Sequence, residues 1–561
     1  MLVVAAFLAA VGAPIASRAQ TLAPGERPSE RPLEPGAPQR ALPPALAPTP
    51  LPPPPAAEPG RLSSGPRVLV RAFAVTGSTV FSEEALAAAL APWTGRELSS
   101  EDLLAARDAV TLLYVRNGYV NSGAVVPDQR IADGVVALQV VEGRLGAIEI
   151  DGNRWFRSGW LASRIAHGID APLDAKRLGE RLDVMQRDPR FAHLNAELVP
   201  GARPGEALLR VRIEEEPPWH LSFESDNHVA PSIGPYEGRI EGAFDNLAGR
   251  GDTLAASFDG SAGLLDGDVS YRIPVSPWDT ELWLEYRNSA SDVVEHPFQD
   301  LGVHGRTQTY TIGVEQPVWR SRRVTASLSI SAEHRRGDTE LFDQPFSFTP
   351  GLAGGRTRIT PLRLAQELIF RDETQVFAAR STFSVGLHAS DLDESEPGAP
   401  QAHWFAWLGQ LQYVRRFDAL RGSELVLRGD AQLTPDTLFP IEQYSLGGAE
   451  TVRGYRENQL VRDAGMLAAI EMRVPLLRID RDRVVVQIAP FFDTGRSWWA
   501  RDGIDEQDRW LASAGVGLRA SYAHRLSAEI YWGSRLQHVV EPADWDLQDA
   551  GVHFRVTTRV F

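Results

Sequence analysis

The sequence predicts a mainly β protein: a 16-stranded antiparallel transmembrane β-barrel preceded by two small α/β domains. Three observations carry this. Past the N-terminus no stretch approaches the roughly 20 apolar residues that a transmembrane helix needs, so a chain that crosses a membrane must do so as a barrel. From residue 219 onward, aromatic-rich segments alternate apolar and polar residues with period two between Gly and Asp turns, and sixteen such segments can be drawn. Ahead of them, residues 67–216 read as one strand–helix–helix–strand–strand unit occurring twice.

Composition fits and narrows the classes. With 43% apolar and 23% charged residues the chain has enough material for a large core, and 73 acidic against 57 basic residues argues against a nucleic-acid partner. It has no cysteine, which suits a barrel that closes its own edges without covalent staples.

Taken in order, Leu2–Ala16 is a short apolar run interrupted by Pro14, and Ser17-Arg18-Ala19 supplies small residues for cleavage after Ala19, so residues 1–19 read as an export signal peptide lacking a basic n-region. Residues 20–66 are a Pro-rich linker containing Pro52-Pro53-Pro54-Pro55. Proline at this density blocks helix interiors and sheet ladders, which predicts an extended tether. Its one helix-compatible stretch, Ala41–Ala47, is interrupted by Pro43 and Pro44.

The first α/β unit, 67–143, opens with a strand over 68–75 and a turn at Gly77. Ser82 caps a helix at 83–90, a second helix spans 100–117, and strands follow near 120–126 and 135–142. The second unit, 144–216, repeats the order: a strand at 147–150, helices at 158–167 and 174–186, and strands at 192–200 and 207–214. Glu214-Glu215-Glu216 then reads as a solvated acidic hinge.

The barrel occupies 217–561. An even strand number returns the chain to the side from which it entered. The alternation also fixes phase. Val484, Val486, Ile488, Pro490 and Phe492 share one face, with Gln487 and Asp493 on the other, and Val552, Phe554 and Val556 alternate with His553, Arg555 and Thr557. An Arg on the lipid face costs roughly 2–4 kcal/mol at mid-depth, so the arginine side must be the lumen.

Two sets of motifs then make a family recognisable. Tyr114-Val115-Arg116-Asn117-Gly118-Tyr119, Val126-Pro127, Asp133-Gly134 and Glu142-Gly143 lie in the first unit, and Asp188-Pro189 and Leu198-Val199-Pro200-Gly201 in the second. Val452-Arg453-Gly454-Tyr455, preceded by Ser445-Leu446-Gly447-Gly448, falls between the eleventh and twelfth predicted strands, and Phe491-Phe492-Asp493-Thr494-Gly495 on the thirteenth. In these the chain resembles the outer-membrane transporters of two-partner secretion, the TpsB or ShlB/FhaC/HecB haemolysin secretion/activation family of the BamA-like superfamily.

The resemblance implies that the α/β units are periplasmic POTRA domains and that the loop bearing Arg453 folds back into the barrel. On a glycine-flexible tip, Arg453 is expected to donate its planar fork to Asp493 on the inner wall. The terminal Phe561 matches the aromatic end of outer-membrane barrels and is expected to signal to the assembly machinery.

Function follows as expectation. The POTRA pair would capture a secreted TpsA-type haemolysin, adhesin or toxin by strand addition, and the barrel would translocate it to the surface. Other expected contacts are outer-membrane lipid and lipopolysaccharide, and the barrel-assembly machinery during biogenesis. Alternatives are an assembly insertase of the same superfamily and a passive porin. Without an HExxH helix, a GxSxG elbow or a P-loop, the sequence predicts no enzyme, no metal and no cofactor. Members of the family carry a plug helix in the pore; the proline pattern of 20–66 predicts none here, and hence a leakier resting channel.

Overall fold

The computed structural model describes residues 27–31, 33 and 67–560, apart from positions 204, 391, 481–482, 502–508, 524 and 540–543. The expected signal peptide, Phe561 and most of the linker lie outside the described residues. Two compact units result: residues 218–561 together with described residues 27–31 and 33, and a unit that holds 67–217.

In the first unit sixteen strands close into an antiparallel barrel. They are β1 Trp219–Asp226, β2 Glu237–Asp245, β3 Thr253–Gly260, β4 Leu264–Pro274, β5 Glu281–Asp292, β6 His304–Arg320, β7 Val324–Leu341 and β8 Arg356–Arg371. The remainder are β9 Gln375–Ala389, β10 Phe405–Phe417, β11 Ser423–Leu433, β12 Ala464–Ile479, β13 Val484–Trp498, β14 Arg509–Tyr522, β15 Leu526–Arg535 and β16 Val552–Arg559. Closure runs from β16 back to β1, pairing Arg555 with Asp226 and Arg559 with Ser222.

The alternation is expressed as predicted. In β6, Tyr310 and Ile312 are 45% and 52% exposed, whereas Thr309 and Thr311 between and beside them are buried. In β13, Phe492 is exposed and Asp493 has no accessible surface. Large apolar side chains that face outward all round the wall suit lipid and not water. Trp219, Trp278 and Trp319 stand exposed at the end where the chain enters, the position of an interfacial aromatic girdle.

Short turns, such as 321–323 and 372–374, join the strands at that end, and long connections, including 342–355, 390–404 and 434–463, at the other. Strand β7 has 18 residues and β6 has 17, more than the roughly 10 that a bilayer requires, so the surplus carries these hairpins beyond the membrane.

The second unit contains two copies of one arrangement. In the first, the parallel pair Ala72–Thr76 and Val135–Val141 is extended antiparallel by Gly123–Val125, and helices α1 Glu83–Leu90 and α2 Ser100–Arg116 cover one face. The second places Arg144–Asp151, Glu206–Glu215 and Phe191–Pro200 in the same relation, with α3 Ser158–Ala166 and α4 Ala175–Met185. Ser82 accepts from the Ala85 amide, so the first helix begins at its expected cap, and Ser99 closes a capping box with Asp102 at the start of the second.

An acidic residue at the end of the central strand organises each copy. Glu142 accepts from the amides of Thr79 and Val80 at 2.7 and 3.2 Å and from the Tyr114 hydroxyl at 2.9 Å. Glu215 does the same for the amides of Arg154, Trp155 and Phe156 at 3.2, 2.6 and 3.0 Å. A glycine with positive φ sits against the same strand two residues earlier: a Cβ on Gly77 would lie 2.4 Å from the Val140 carbonyl oxygen, and one on Gly152 would lie 2.2 Å from that of Ile213. Glu215 is therefore a capping residue of the second domain, which corrects its reading as part of a solvated acidic hinge, while Glu214 and Glu216 are exposed.

The linker needs a second correction. Pro28–Glu30 forms a 3-10 turn on the lumen side of the barrel wall. Proline at the first turn position is compatible with such a turn, because its missing N–H would be unpaired there in any case. Arg27 is fully buried, its Nε donating to the Pro440 carbonyl at 3.0 Å, while Gln410 of β10 donates to the Arg31 carbonyl at 2.9 Å and Arg31 pairs with Glu333 of β7 at 3.1 Å. The described part of this segment is thus neither extended nor outside the pore, and occupying a pore does not require a helix.

Burial raises the Glu142 carboxyl, but the Thr79 hydroxyl and amide, the Tyr114 hydroxyl and the Val80 amide outweigh it and hold the pKa below 4.5; burial in turn pushes the Tyr114 hydroxyl up to about 12. A depressed carboxyl stabilises the domain above its unfolded pKa, and that contribution is lost as pH falls through the folded value. Glu142→Gln should weaken the Thr79–Val80 turn by about 1–3 kcal/mol. Hydrogen exchange on the full chain checks this: protection at these two amides should drop in the variant at pH 7 and in the parent under acid, whereas unchanged protection in both would refute the capping role.

Candidate functional site

Between β11 and β12 the chain leaves the wall for thirty residues and returns through the lumen. Its stem is a short hairpin in which Tyr444–Leu446 pairs with Leu460–Arg462. Tyr444, Leu446, Val452, Tyr455 and Leu460 form an apolar cluster with Leu467 of β12 and Leu511 of β14. Hydrophobic burial therefore brings the loop inside. Polar contacts then set its position.

The tip carries Arg453, which is 3% exposed. Its Nε and Nη2 donate to the two oxygens of Asp493 at 2.8 and 2.9 Å, and its backbone amide adds a third bond to the same carboxylate at 3.1 Å. Nη1 pairs with Glu471 of β12. The guanidinium lies over the Phe491 ring with its carbon 3.8 Å from the centroid, and Tyr531 of β15 is on another side at 4.8 Å. Glu471 is shared: Arg473 donates to it at 2.6 Å and the Tyr531 hydroxyl at 3.2 Å. One cation thus meets two carboxylates and two aromatic rings, a site that suits the planar guanidinium better than an ammonium.

Glycines make the close approach possible. Gly454 has φ +93°, and a Cβ there would lie 2.6 Å from the carbonyl oxygen of Gly533 on β15, so the tip rests with its backbone directly on the wall. A Cβ on Gly495 would come 2.5 Å from Leu446, which shows why the wall is bare beneath the stem. Tyr455 is fully buried, its hydroxyl donating to the Ala512 carbonyl at 2.9 Å and accepting from the Gln537 amide at 3.0 Å. Val452, Arg453, Gly454, Tyr455, Phe491, Asp493 and Gly495 therefore converge on one side of the lumen.

Sequence reasoning missed several partners. Glu471 was findable, since it shares a face with Ala469, which sits opposite Asp493 in the ladder. Arg456 binds Asp549 and Glu295 and so ties the loop to two other extracellular connections. At the loop's root, Glu442 joins a second buried cluster: Arg363 of β8 reaches it at 2.8 Å and Glu333 at 3.1 Å, while Arg335 pairs with Glu333 at 2.7 Å. These four residues come from three separated segments of the chain, and no motif marks them.

The POTRA motif residues lie in the other unit and serve its internal packing. Tyr114 is buried and packs edge-on to Phe81 and Tyr119, at 4.8 and 6.0 Å between centroids. Gly118 and Gly143 adjoin the second domain, their carbonyls accepting from the amides of Ala175 at 3.0 Å and Leu173 at 2.7 Å. Gly134 turns at φ +74° with its carbonyl accepting from the Arg71 amide, and the Pro127 carbonyl accepts from Gln129.

Comparison with known proteins agrees with this architecture. The family described as "Haemolysin secretion/activation protein ShlB/FhaC/HecB" matches residues 205–520, and "POTRA domain, ShlB-type" matches 68–143. The outer membrane transporter CdiB of Escherichia coli is 25% identical over 491 residues, covering 83% of this chain and 79% of that protein. The heme/hemopexin transporter protein HuxB of Haemophilus influenzae is 22% identical, covering 83% and 82%. The solved structure of Escherichia coli CdiB superposes with a TM-score of 0.66 at 22% identity, covering 91% of this chain and 94% of that one.

Arg453→Ala would leave Asp493 and Glu471 buried without their shared cation, at a cost of about 3–5 kcal/mol. Hydrogen exchange across residues 451–457 should accelerate about a hundredfold or more, and Arg453→Lys should fall between parent and Ala because it keeps the charge and loses the fork. Gly454→Ala should loosen the same segment without touching a charge. Unaltered exchange in Arg453→Ala would show that the apolar stem alone holds the loop.

Proposed function

The chain belongs to the haemolysin secretion/activation (ShlB/FhaC/HecB) family of two-partner secretion transporters, its barrel in the outer membrane and its POTRA domains in the periplasm, and on that premise we propose that it recognises one secreted TpsA-type polypeptide and exports it through the barrel. The observation that carries this reading is the unpaired strand edge on each POTRA sheet. Among the described residues, Ala72–Thr76, Gly123–Val125, Arg144–Asp151 and Phe191–Pro200 are outer strands; the Ala124 amide already donates to Thr111 and the Leu194 amide to Gln186, which leaves the outer rows of backbone groups on Ala72–Thr76 and Arg144–Asp151 as the edges that take another strand. An extended segment of an unfolded polypeptide satisfies those groups by strand addition, and alternate side chains read its sequence.

The loop anchored by Arg453 then serves as a fixed constriction that sets the passage open to the exported chain. Folding of the partner outside drives transport. The division into signal peptide 1–19, linker 20–66, POTRA domains 67–143 and 144–216 and barrel 217–561, together with the assembly signal at Phe561 and contacts with lipopolysaccharide and the assembly machinery, belongs to the same reading.

Deletion of this chain's gene, followed by surface proteomics, tests the proposal. Loss of one large exported protein from the surface, restored by the intact chain but not by a form lacking residues 67–216, is the expected result. Broad loss of many barrel proteins would instead establish an assembly insertase, and no change in surface proteins would leave a porin.

A further inference from the structure

The outer wall of the barrel has a feature that neither transport nor closure uses. Across β4, β5, β6, β7 and β8 the ladders align outward-facing residues in rows. One row reads Val269, Tyr286, Tyr310 and His334; the next toward the periplasm reads Tyr271, Leu284, Ile312, Ala332 and Leu362. Between these rows lies a trough of about 510 Å³, lined chiefly by Tyr271, Leu284, Tyr286, Tyr310, Ile312 and Ala332. The β7–β8 pairing lapses between Ala332↔Leu362 and Arg335↔Ile359 without a change of register, with Pro361, which has no N–H to give, inside the gap, and the β8–β9 ladder shifts register between Ile359 and Pro361. Such an interruption bends a wall locally. Small Ala332 leaves room beneath it.

The rows on the extracellular side of the trough change character. Asn288, Gln308, Arg336 and Arg358 form the first, and Ala290, Arg306, Asp338 and Arg356 the second. All four arginines are exposed. Arg306 donates to Asn288 at 3.1 Å and Arg336 to His334 at 3.1 Å, both neutral acceptors, and among the described residues no carboxylate is paired with Arg306, Arg336, Arg356 or Arg358. Asp338 is the one acid in these two rows. Successive outward residues are about 7 Å apart along a strand, so the guanidinium ledge begins one such step beyond the tyrosine row that marks the interface.

An apolar trough in a volume range typical of ligand sites, roughly 300–1,000 Å³, lies under a ledge of uncompensated guanidinium groups at headgroup level. Its chemistry is matched by a molecule with acyl chains below and phosphate above, since guanidinium groups bind phosphate through paired N–H donors. From this juxtaposition we propose that the outer face of β4–β8 is a binding site for a phosphorylated, acylated lipid of the outer leaflet, with acyl chain in the trough and phosphate on Arg336, Arg358 and Arg306. The site rests on the barrel's contact with lipopolysaccharide proposed above and gives that contact an address.

Full-length protein in detergent, titrated with diphosphoryl lipid A and followed by native mass spectrometry, tests the site. One lipid A should be retained, and retention should fall about tenfold in the Arg336→Ala/Arg358→Ala double variant. Ala332→Trp fills the trough without removing a charge and should produce a similar loss, so it tests the proposal even if the double variant does not fold, as judged by heat-modifiable migration. Dephosphorylated lipid A should bind weakly, and equimolar inorganic phosphate should not displace the lipid. Equal retention by parent and variants would overturn the site while leaving a general lipopolysaccharide contact intact; retention by none of them would overturn both. Displacement by phosphate alone would reduce the ledge to an anion site and refute the role of the trough.

Discussion

In hydrocarbon a backbone N–H has no water to turn to, and each one left unpaired costs several kcal/mol, so every strand from β1 to β16 must have two neighbours. The rest of the molecule follows from that closure. It demands an even strand count from a chain that enters and leaves on one side, an outward face of large apolar residues, and a lumen in which all the remaining polar chemistry must be placed. The weakest part of the ring is where the chain ends meet. The β16–β1 ladder carries five register pairs, against eight for β1–β2. Asn227 continues it with its side chain, donating to the Val552 carbonyl at 2.9 Å and accepting from the Phe554 amide at 2.7 Å, and Gln548 donates to the Asn227 and Val229 carbonyls behind it. Amide side chains thus stand in for the backbone pairs that a longer strand would have supplied.

Periodicity is what made so much of this visible beforehand. A two-residue repeat cannot slip by one without turning its greasy face inward, so the phase of a strand such as β13 is decided by its own residues, and Asp493 could be assigned to the lumen before any partner was known. The first POTRA helix was legible for a related reason: Ser82 precedes it as a capping residue, and local hydrogen bonds need no tertiary information.

What stayed hidden depends on pairings between distant segments. Glu333, Arg335, Arg363 and Glu442 are ordinary wall or loop charges until β7, β8 and the root of the loop are brought together. Glu215 looked like one of three solvated acids because the repeat that equates it with Glu142 is carried by a backbone position and a glycine, not by similar flanking residues. The turn at Pro28–Glu30 was masked by its own composition. Proline density argues against a helix interior, but it says nothing about whether a short kinked segment is held by Gln410 and Glu333 at a site that only the closed barrel creates.

The lumen anchors raise the question of why charges were used at all. Replacing a buried ion pair with well-packed apolar residues is often neutral or stabilising, so the Arg453 cluster is not explained by stability. Position explains it better. An apolar stem can slide along an apolar wall with little change in energy, whereas Arg453 must meet Asp493 and Glu471 in one orientation, with Gly454 seated on Gly533, or leave itself and Asp493 unpaired. Repeating this at the root, through Glu442 with Arg363, and past the tip, through Arg456 with Glu295 and Asp549, fixes the loop at three separated points. Water can enter such a lumen, so charges that part are resolvated instead of stranded, and the arrangement specifies one resting position without making that position irreversible.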